Sequence, residues 1–284
     1  MDQQIINLYD EYTHKPLKRD DFLKRLAMLT GGTAAAMAIL PKLEGNYAVV
    51  QTTPTQQDLF TERITYATEG GEMKGYIARP KENKKYAAVV IIHENRGLNP
   101  HIEDVARRAA SAGYLALAPD ALSLLGGTPT NEDDARNMFS KLDNNQNTTN
   151  FAKAFPYLKG RADCNGKFGC VGFCWGGAMA NQLAVHVPDL KAAVAFYGRQ
   201  PDAPDVPKIK AALQLHYASL DERINAGIPA FEAALKENKI PYELYMYEGV
   251  NHAFHNDTSA ARYNEAAAKL AWQRTLDFFK KYLS

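Results

Sequence analysis

The sequence is poor in cysteine and has no long run of like charge. Its 284 residues include three cysteines, an odd number that cannot all pair within the chain and does not resemble a disulfide scaffold. Cys164, Cys170 and Cys174 also lack the paired C-x2-C spacing of structural zinc sites. The net charge is +1, so the composition shows no electrostatic footprint for nucleic acid. A small, roughly neutral partner fits this balance better.

An apolar run of membrane-spanning length is also missing. The run Leu26–Leu40 follows four basic residues but has about 15 residues, fewer than the roughly 20 that a span needs. It resembles a twin-arginine export signal at "FLK" (22–24), although Asp20 stands in the second position of the arginine pair. The alternative interpretation is an amphipathic helix packed on the rest of the protein. We therefore expect residues 1–58 to form an N-terminal extension of a cytoplasmic protein, with periplasmic export as the alternative.

Beyond a polar linker at residues 51–58, strands and helices alternate without internal repeats. Segments 62–68 and 72–78 predict a hairpin, and "YAAVVIIH" (86–93) is apolar throughout, as is typical of a strand buried on both faces. Further predicted strands are 114–120, 167–174, 192–198, 211–217 and 242–249, and predicted helices are 100–112, 177–187, 229–238 and 264–282. Residues 131–159 predict two helical stretches separated by a loop at "DNNQNTTN" (143–150). This pattern predicts an α/β domain over residues 59–284, with a mostly parallel central sheet and helices on both faces.

Cys174 lies in "GFCWG" (172–176), between a predicted strand and a predicted helix. That context is the one required of a nucleophile in a Gly-x-nucleophile-x-Gly turn, where the glycines permit a sharp, strained backbone. The amides at the start of the helix would favour the thiolate. The alternative is a cysteine that is simply small enough for a tight turn. Cys164 and Cys170 lack this context and are interpreted as packing residues.

A nucleophile of this kind needs a base and an acid that orients the base. Asp221 follows the predicted strand 211–217, and His252 follows the predicted strand 242–249, which is the chain order nucleophile, acid, base. Glu222, His216 and His255 compete for these roles. His14, His101 and His186 lie in extension or helix contexts and are interpreted as structural.

The segment "HENRGL" (93–98) follows the buried strand 86–92. In an α/β-hydrolase, the loop after this strand supplies one backbone amide of the oxyanion hole, which we assign to Asn95, and the residue after the nucleophile, Trp175, supplies the other. Glu94 is unexpected beside an oxyanion. It either restrains the thiol or holds Arg96 in an ion pair.

Together these segments resemble the dienelactone hydrolase (carboxymethylenebutenolidase) family of α/β-hydrolases. The matching stretches include "GCVGFCWGG", "AFYGRQP", "LDERINAG" and "GVNHAFHND", within about residues 60–284. The resemblance implies a Cys174–His252–Asp221 triad that cleaves an ester or lactone through an acyl-thiol intermediate. It also implies that Glu94 contacts the resting thiol and moves aside when substrate arrives.

Arg96, Arg199 and Tyr197 are the predicted substrate-binding residues, because a guanidinium can hold a substrate carboxylate in a bidentate pair. Either arginine could instead form a structural ion pair. We expect a small-molecule ester or lactone substrate, no metal or organic cofactor, and a monomer or homodimer. The alternative function is a non-catalytic α/β-hydrolase scaffold that binds a ligand or senses redox state through Cys174. The triad chemistry would also serve thioesters or amides.

Overall fold

The computed structural model describes residues 1–47 and 58–284, so the predicted linker at residues 51–58 lies outside the described residues except for Asp58. The described strands are β1 (Leu59–Thr68), β2 (Gly71–Pro80), β3 (Tyr86–Ile92), β4 (Leu115–Pro119), β5 (Cys164–Phe173), β6 (Ala192–Phe196), β7 (Ala212–Ala218) and β8 (Tyr242–Tyr247). They form a single eight-stranded sheet.

The strand order of the sheet is β1-β2-β4-β3-β5-β6-β7-β8. The six strands from β4 to β8 are parallel, and the hairpin of β1 and β2 pairs antiparallel with β4 at one end. Every residue of β3 is buried, which agrees with its continuous apolar sequence. The chain leaves β3 toward β4 and returns to its other side with β5. The sheet therefore has a topological switch point at β3 and β5, where ligands bind outside the carboxyl ends of the strands.

Helices cover both faces of the sheet, as the sequence predicts. The described helices are α1 (Gln3–His14), α2 (Arg19–Thr30), α3 (Thr33–Leu43), α4 (Pro100–Ser111), α5 (Glu132–Phe139), α6 (Asn144–Ala152), α7 (Ala154–Lys159), α8 (Trp175–His186), α9 (Glu222–Asn225), α10 (Ile228–Glu237) and α11 (Glu265–Leu283). The apolar sides of α4 and α11 join the core on one face. Those of α6, α7, α8 and α10 join the core on the other.

The loop predicted at residues 143–150 is wrong, because α6 occupies most of it. The Asp143 side chain caps this helix by accepting a hydrogen bond from the Gln146 amide at 2.8 Å. Asn147 and Thr148 are buried, and their side chains donate to backbone carbonyls one turn earlier. Capping and burial outweigh the weak helix propensity of asparagine and threonine.

Helices α1 to α3 form a small core of their own and also contact the rest of the protein. Their buried apolar side chains are Ile5, Leu8, Tyr9, Tyr12, Phe22, Leu26, Ala36, Leu40 and Leu43. In the described residues, no single helix is long and apolar enough to span a membrane. The pair α2 and α3 reaches that length and composition together but is bent by 111° between the two helices. Helix α1 ends at the carboxyl edge of the sheet.

Candidate active site

The turn between β5 and α8 presents Cys174 at the carboxyl edge of the sheet. The Cys174 backbone has φ 56° and ψ −114°, a region that residues with a Cβ rarely adopt. Its amide donates to the Phe196 carbonyl on the neighbouring strand at 3.0 Å. The strain is thus held by the surrounding sheet, which is typical of a functional position.

Two glycines make this turn sterically feasible. A Cβ at Gly172 would lie 1.8 Å from the Gly176 carbonyl oxygen, and a Cβ at Gly176 would lie 2.3 Å from the Ile92 carbonyl oxygen. Both obstacles are backbone atoms, which cannot rotate away. The spacing of glycines around Cys174 therefore reflects how closely the first turn of α8 approaches β5 and β3.

Gly172→Ala should destabilise the fold by about 3 kcal/mol or more, because the backbone has to move to admit the new methyl group. Guanidinium unfolding followed by circular dichroism measures this change. Gly160→Ala is the matched control, since Gly160 has φ −76° and the nearest atom to its Cβ would be 3.5 Å away. Equal unfolding midpoints for the two variants would contradict this description of the turn.

Asp221 and His252, which follow β7 and β8, are joined by a short hydrogen bond. The Nδ1 atom of His252 lies 2.5 Å from Asp221 Oδ2, and both residues are buried. Asp221 is also the N-cap of α9, where its Oδ1 accepts from the Ile224 amide at 3.3 Å. The cap fixes the carboxylate, and the carboxylate fixes the imidazole. Glu222, the competing acid, is exposed.

The imidazole of His252 faces the thiol. A ring nitrogen of His252 lies within 4.8 Å of Cys174 Sγ, and His252 Nε2 is buried without another regular hydrogen bond in the described residues. Burial opposes the positive charge of this ring, but Cys174 and Asp221 outweigh that effect and raise the pKa of His252 to about 9. The arrangement favours the imidazolium form of His252 beside Cys174.

His14, whose position in the N-terminal extension suggests a structural role, also reaches the thiol. Its Nε2 atom lies 3.1 Å from Cys174 Sγ, and its ring contacts the His252 ring edge-on with centroids 4.7 Å apart. The structure therefore places His14 at the thiol, a position that its sequence context does not predict. The sequence does carry one weak signal for it, since Asp10 and His14 are four residues apart on one face of a helix.

The loop after β3 places Glu94, Asn95 and Arg96 next to a small inner cavity that Cys174 also lines. The Glu94 carboxylate accepts from Asn256 Nδ2 at 2.8 Å and from the Tyr197 hydroxyl at 3.4 Å.

Arg96 does not pair with Glu94. Its Nε lies 3.9 Å from a Glu132 carboxylate oxygen, and its Nη1 donates to Asn95 Oδ1 at 2.9 Å. Arg96 is buried and lines the inner cavity together with Cys174 and His252.

A larger cleft of about 1230 Å³ opens on the other side of His14 and is also lined by Cys174, Trp175, Tyr197 and Arg199. Trp175 begins α8, so its amide is one of the first-turn donors that lack an intrahelical acceptor. The guanidinium of Arg199 is exposed, and no carboxylate of the described chain lies within 4.0 Å of it. Of the two predicted arginines, only Arg199 borders this cleft.

The other competing residues lie away from the thiol. His216 bonds to the Tyr247 hydroxyl at 2.8 Å inside β7, and burial lowers the pKa of His216 to about 3. His255 stacks on Phe173, and burial lowers its pKa well below the ordinary value. Cys164 and Cys170 are buried free thiols whose pKa values are raised by burial, as expected of packing residues.

Among residues 1–47 and 58–284, the donor atoms of His14, Cys174 and His252 have the mutual spacing of a metal site, all lying within 4.8 Å of one another. Two imidazoles and a thiolate form a donor set suited to zinc or copper. A metal bound there would occupy the sulfur. The absence of a metal requirement stays a prediction from the sequence.

Comparison with known proteins identifies the family. The model of the "Dienelactone hydrolase family" matches residues 73–283. A "Putative carboxymethylenebutenolidase" from Saccharolobus solfataricus is 34% identical over 259 residues, covering 78% of this chain and 98% of that protein. A "Putative hydrolase fragment YghX" from Escherichia coli K12 is 49% identical over 112 residues, covering 38% of this chain and 96% of the fragment.

Solved structures agree with the sequence comparison. The crystal structure of a "Putative Dienelactone Hydrolase" from Klebsiella pneumoniae superposes with a TM-score of 0.72 and 28% identity, covering 79% of this chain and 99% of that one. An acylaminoacyl peptidase from Pyrococcus horikoshii, 13% identical with a TM-score of 0.63, covers 80% of this chain and 42% of its own and shares the fold alone. The protein has the α/β-hydrolase fold, and it belongs to the dienelactone hydrolase family of hydrolases.

Proposed function

We propose that this hydrolase cleaves an ester or lactone of a small molecule, with Cys174 as nucleophile and an acyl-thiol intermediate. The observation that carries the proposal is the buried hydrogen bond of 2.5 Å between Asp221 and His252, with the His252 ring facing the thiol. A nucleophile, a base and an orienting acid on three loops at one sheet edge form the arrangement that acyl transfer requires.

In the first step, the Cys174 thiolate attacks the carbonyl carbon and the carbonyl oxygen becomes an oxyanion. The backbone amides of Asn95 and Trp175 are the proposed oxyanion donors, one from the loop after β3 and one from the first turn of α8. The intermediate then collapses and the bond to the leaving oxygen breaks. The departing alkoxide takes up a proton from an imidazolium beside the sulfur.

In the second step, His252 activates a water molecule that attacks the acyl-thiol and releases the acid. Acylation removes the negative charge of Cys174, the main influence that raises the pKa of His252. The imidazole then gives up its proton more readily and becomes a base. Asp221 holds Nδ1 and keeps Nε2 available for the water.

Glu94 is proposed to restrain Cys174 in the resting enzyme and to move when substrate arrives. Its hydrogen bonds to Asn256 and Tyr197 mean that such a movement has to break both contacts. Burial and the negative charges of Glu94 and Cys174 raise the pKa of Tyr197 well above its ordinary value. Its hydroxyl therefore stays protonated and donates to Glu94.

Arg199 is the proposed partner of a carboxylate on the substrate, because it borders the cleft and has no acidic partner among residues 1–47 and 58–284. Arg199→Ala should raise KM about tenfold for an ester that carries a free carboxylate and leave kcat nearly unchanged. A neutral ester of similar size should show no change in KM. Arg63→Ala, which removes an arginine of the distant β1, is the matched control. An equal effect on both esters would contradict the pairing.

Mass spectrometry of the intact protein after exposure to esters and lactones tests the nucleophile directly. The expected result is a mass increase equal to the acyl group, mapped by peptide analysis to Cys174. An adduct on Cys164 or Cys170 would contradict the proposal. The absence of turnover on the whole panel, together with ready oxidation of Cys174, would favour the redox-sensing scaffold instead.

A further inference from the structure

Helix α1 brings a second imidazole to the sulfur of Cys174. The Nε2 atom of His14 lies 3.1 Å from Sγ, and the His14 and His252 rings meet at 80°. The sulfur therefore has two histidine neighbours. His14 lies outside residues 73–283, the part of the chain that the family model matches.

The orientation of His14 is set by oxygen atoms around Nδ1. This atom lies 3.1 Å from Asp10 Oδ1, 2.9 Å from the Asp10 carbonyl oxygen and 2.9 Å from Thr13 Oγ1. Nδ1 therefore carries a hydrogen, and Nε2 is the atom free to gain or lose a proton at the sulfur. The Asp10 carboxylate lies within ion-pair distance of His14, but the hydrogen bonds of Nδ1 go to the Asp10 carbonyl and to Thr13.

Asp10 remains a carboxylate in this position. Burial acts against its charge, but the contact with His14 and the positive charges of His252 and Arg223 hold the pKa of Asp10 well below its ordinary range. Arg223 reaches it at 3.7 Å. The Asp10 carboxylate thus lies on the Nδ1 side of the His14 ring, while Nε2 faces the sulfur.

Contacts on both sides of His14 fix the end of α1. Arg136 donates to the Tyr12 carbonyl at 2.6 Å, and Asn95 donates through its side chain to the Thr13 carbonyl at 2.8 Å. At the start of the helix, the Gln3 side chain donates to Asn251 Oδ1 at 2.6 Å. His14 is therefore held against the site by α5 and by the loops after β3 and β8, and these two loops also carry proposed catalytic groups.

The two histidines lie at different depths. The His252 side chain is 5% exposed, whereas the His14 side chain is 13% exposed and stands where the large cleft meets the sulfur. The leaving oxygen is bonded to the acyl carbon that the sulfur attacks, so it is released beside the cleft that His14 also lines.

We propose that His14, oriented by Asp10, is a second catalytic acid of this site and protonates the leaving alcohol during acylation. The inference rests on the proposed function, because it needs an acyl-thiol step. As the bond from sulfur to carbon forms and the bond from carbon to the leaving oxygen breaks, the His14 Nε2 proton moves to that oxygen. The products are the acyl-thiol, the free alcohol and neutral His14.

The second half of the cycle returns the proton. His252 loses its proton to solvent once the sulfur is acylated, and it then takes a proton from water while the hydroxide adds to the acyl carbon. The thiolate departs, and the carboxylic acid gives its proton to His14. Both imidazolium groups and the thiolate are restored. One ester and one water have become an alcohol, a carboxylate and one proton in solvent.

The test compares leaving groups. For esters of one acid, His14→Asn should lower kcat/KM about 10²-fold or more with ethanol as leaving group, because its alkoxide needs a proton to depart. With p-nitrophenol, a stable anion, the same variant should be nearly as active as the wild type. His186→Asn is the matched control, since His186 borders the same cleft but lies away from the sulfur and should leave both rates unchanged.

Two further experiments distinguish the loss of a catalytic acid from a loss of structure. Asp10→Asn should reduce the ethyl ester rate selectively, though less than His14→Asn, because it weakens the acid without removing it. Added imidazole should restore ethyl ester hydrolysis to His14→Ala, and it should not do so for a variant that is merely distorted. Thermal unfolding of each variant establishes that the fold is kept.

Three outcomes would overturn the inference. Equal losses on both esters would make His14 a residue that only positions the thiol. Higher activity of His14→Asn on both esters would indicate that His14 and α1 block the access of substrate to Cys174. Unchanged rates on both would exclude His14 from the reaction. Failure of the proposed function is a separate result, because Cys174→Ala would then still hydrolyse the p-nitrophenyl ester.

Discussion

Cys174→Ala should lower kcat/KM for p-nitrophenyl esters by at least about 10³-fold, because it removes the atom that forms the acyl intermediate. The fold should persist, since the change deletes one sulfur atom from a turn whose shape is set by Gly172 and Gly176. Steady-state kinetics measure the loss, and circular dichroism checks the fold. No acyl adduct should form on the variant.

Cys164→Ser is the matched control for this substitution. Cys164 is also a buried free thiol, but it lies at the start of β5, at the opposite end of that strand from Cys174. Its loss should leave turnover intact. If Cys174→Ala kept most of the wild-type rate while Cys164→Ser lost it, the nucleophile would be wrongly assigned.

The pH dependence of the reaction should show an alkaline limb near pH 9. The neighbouring thiolate and Asp221 raise the pKa of His252 from 6.5 to about 9, so its imidazolium persists up to that pH and is lost above it. The raised pKa of His252 also contributes to the free energy of unfolding, and this contribution stabilises the folded protein at low pH. It is fully present below about pH 6.5 and is lost as the pH rises through 9.

Asp221→Asn should move the alkaline limb to lower pH by about one unit or more, because it removes one of the negative charges that favour the imidazolium. It should also slow turnover by roughly 10³- to 10⁴-fold through loss of ring orientation. Histidine NMR titration of both proteins measures the shift. His216, whose pKa is lowered to about 3, should stay neutral throughout and serves as an internal reference.

A pH profile without an alkaline limb near 9, with His252 titrating near 6.5 in the wild type, would contradict the ion pair. The site would then hold a neutral thiol beside a neutral imidazole. In that case the reaction would depend on a proton transfer from sulfur to nitrogen at each turnover.

Much of the site follows from sequence patterns that act locally. The turn at Cys174 is predictable because Gly172 and Gly176 flank a short segment between an apolar strand and a helix. Asp221 and His252 are predictable because parallel strands deliver the residues that follow them to one edge of the sheet. The sequence order alone therefore predicted groups that the structure brings together.

Other features depend on partners distant in the chain. The residue types in the segment "DNNQNTTN" predict a loop. In the structure, however, Asp143 caps a helix there, and Asn147 and Thr148 are buried within it. Arg96 is close to Glu94 in the sequence, yet the carboxylate that lies within 4.0 Å of its guanidinium belongs to Glu132. In both cases a contact supplied by the fold outweighs the local preference.

The sequence by itself determined the alternating architecture, the strained cysteine turn and the order of the Cys174, Asp221 and His252 loops, because periodicity, glycine spacing and strand ends are local properties. Only the tertiary structure decided that α1 lies over the sulfur. His14 and Cys174 are 160 residues apart, and no local pattern encodes a contact of 3.1 Å between them. That contact arises because Asn95 and Asn251, on loops at the carboxyl edge of the sheet, hold α1 there and so place its imidazole beside the sulfur.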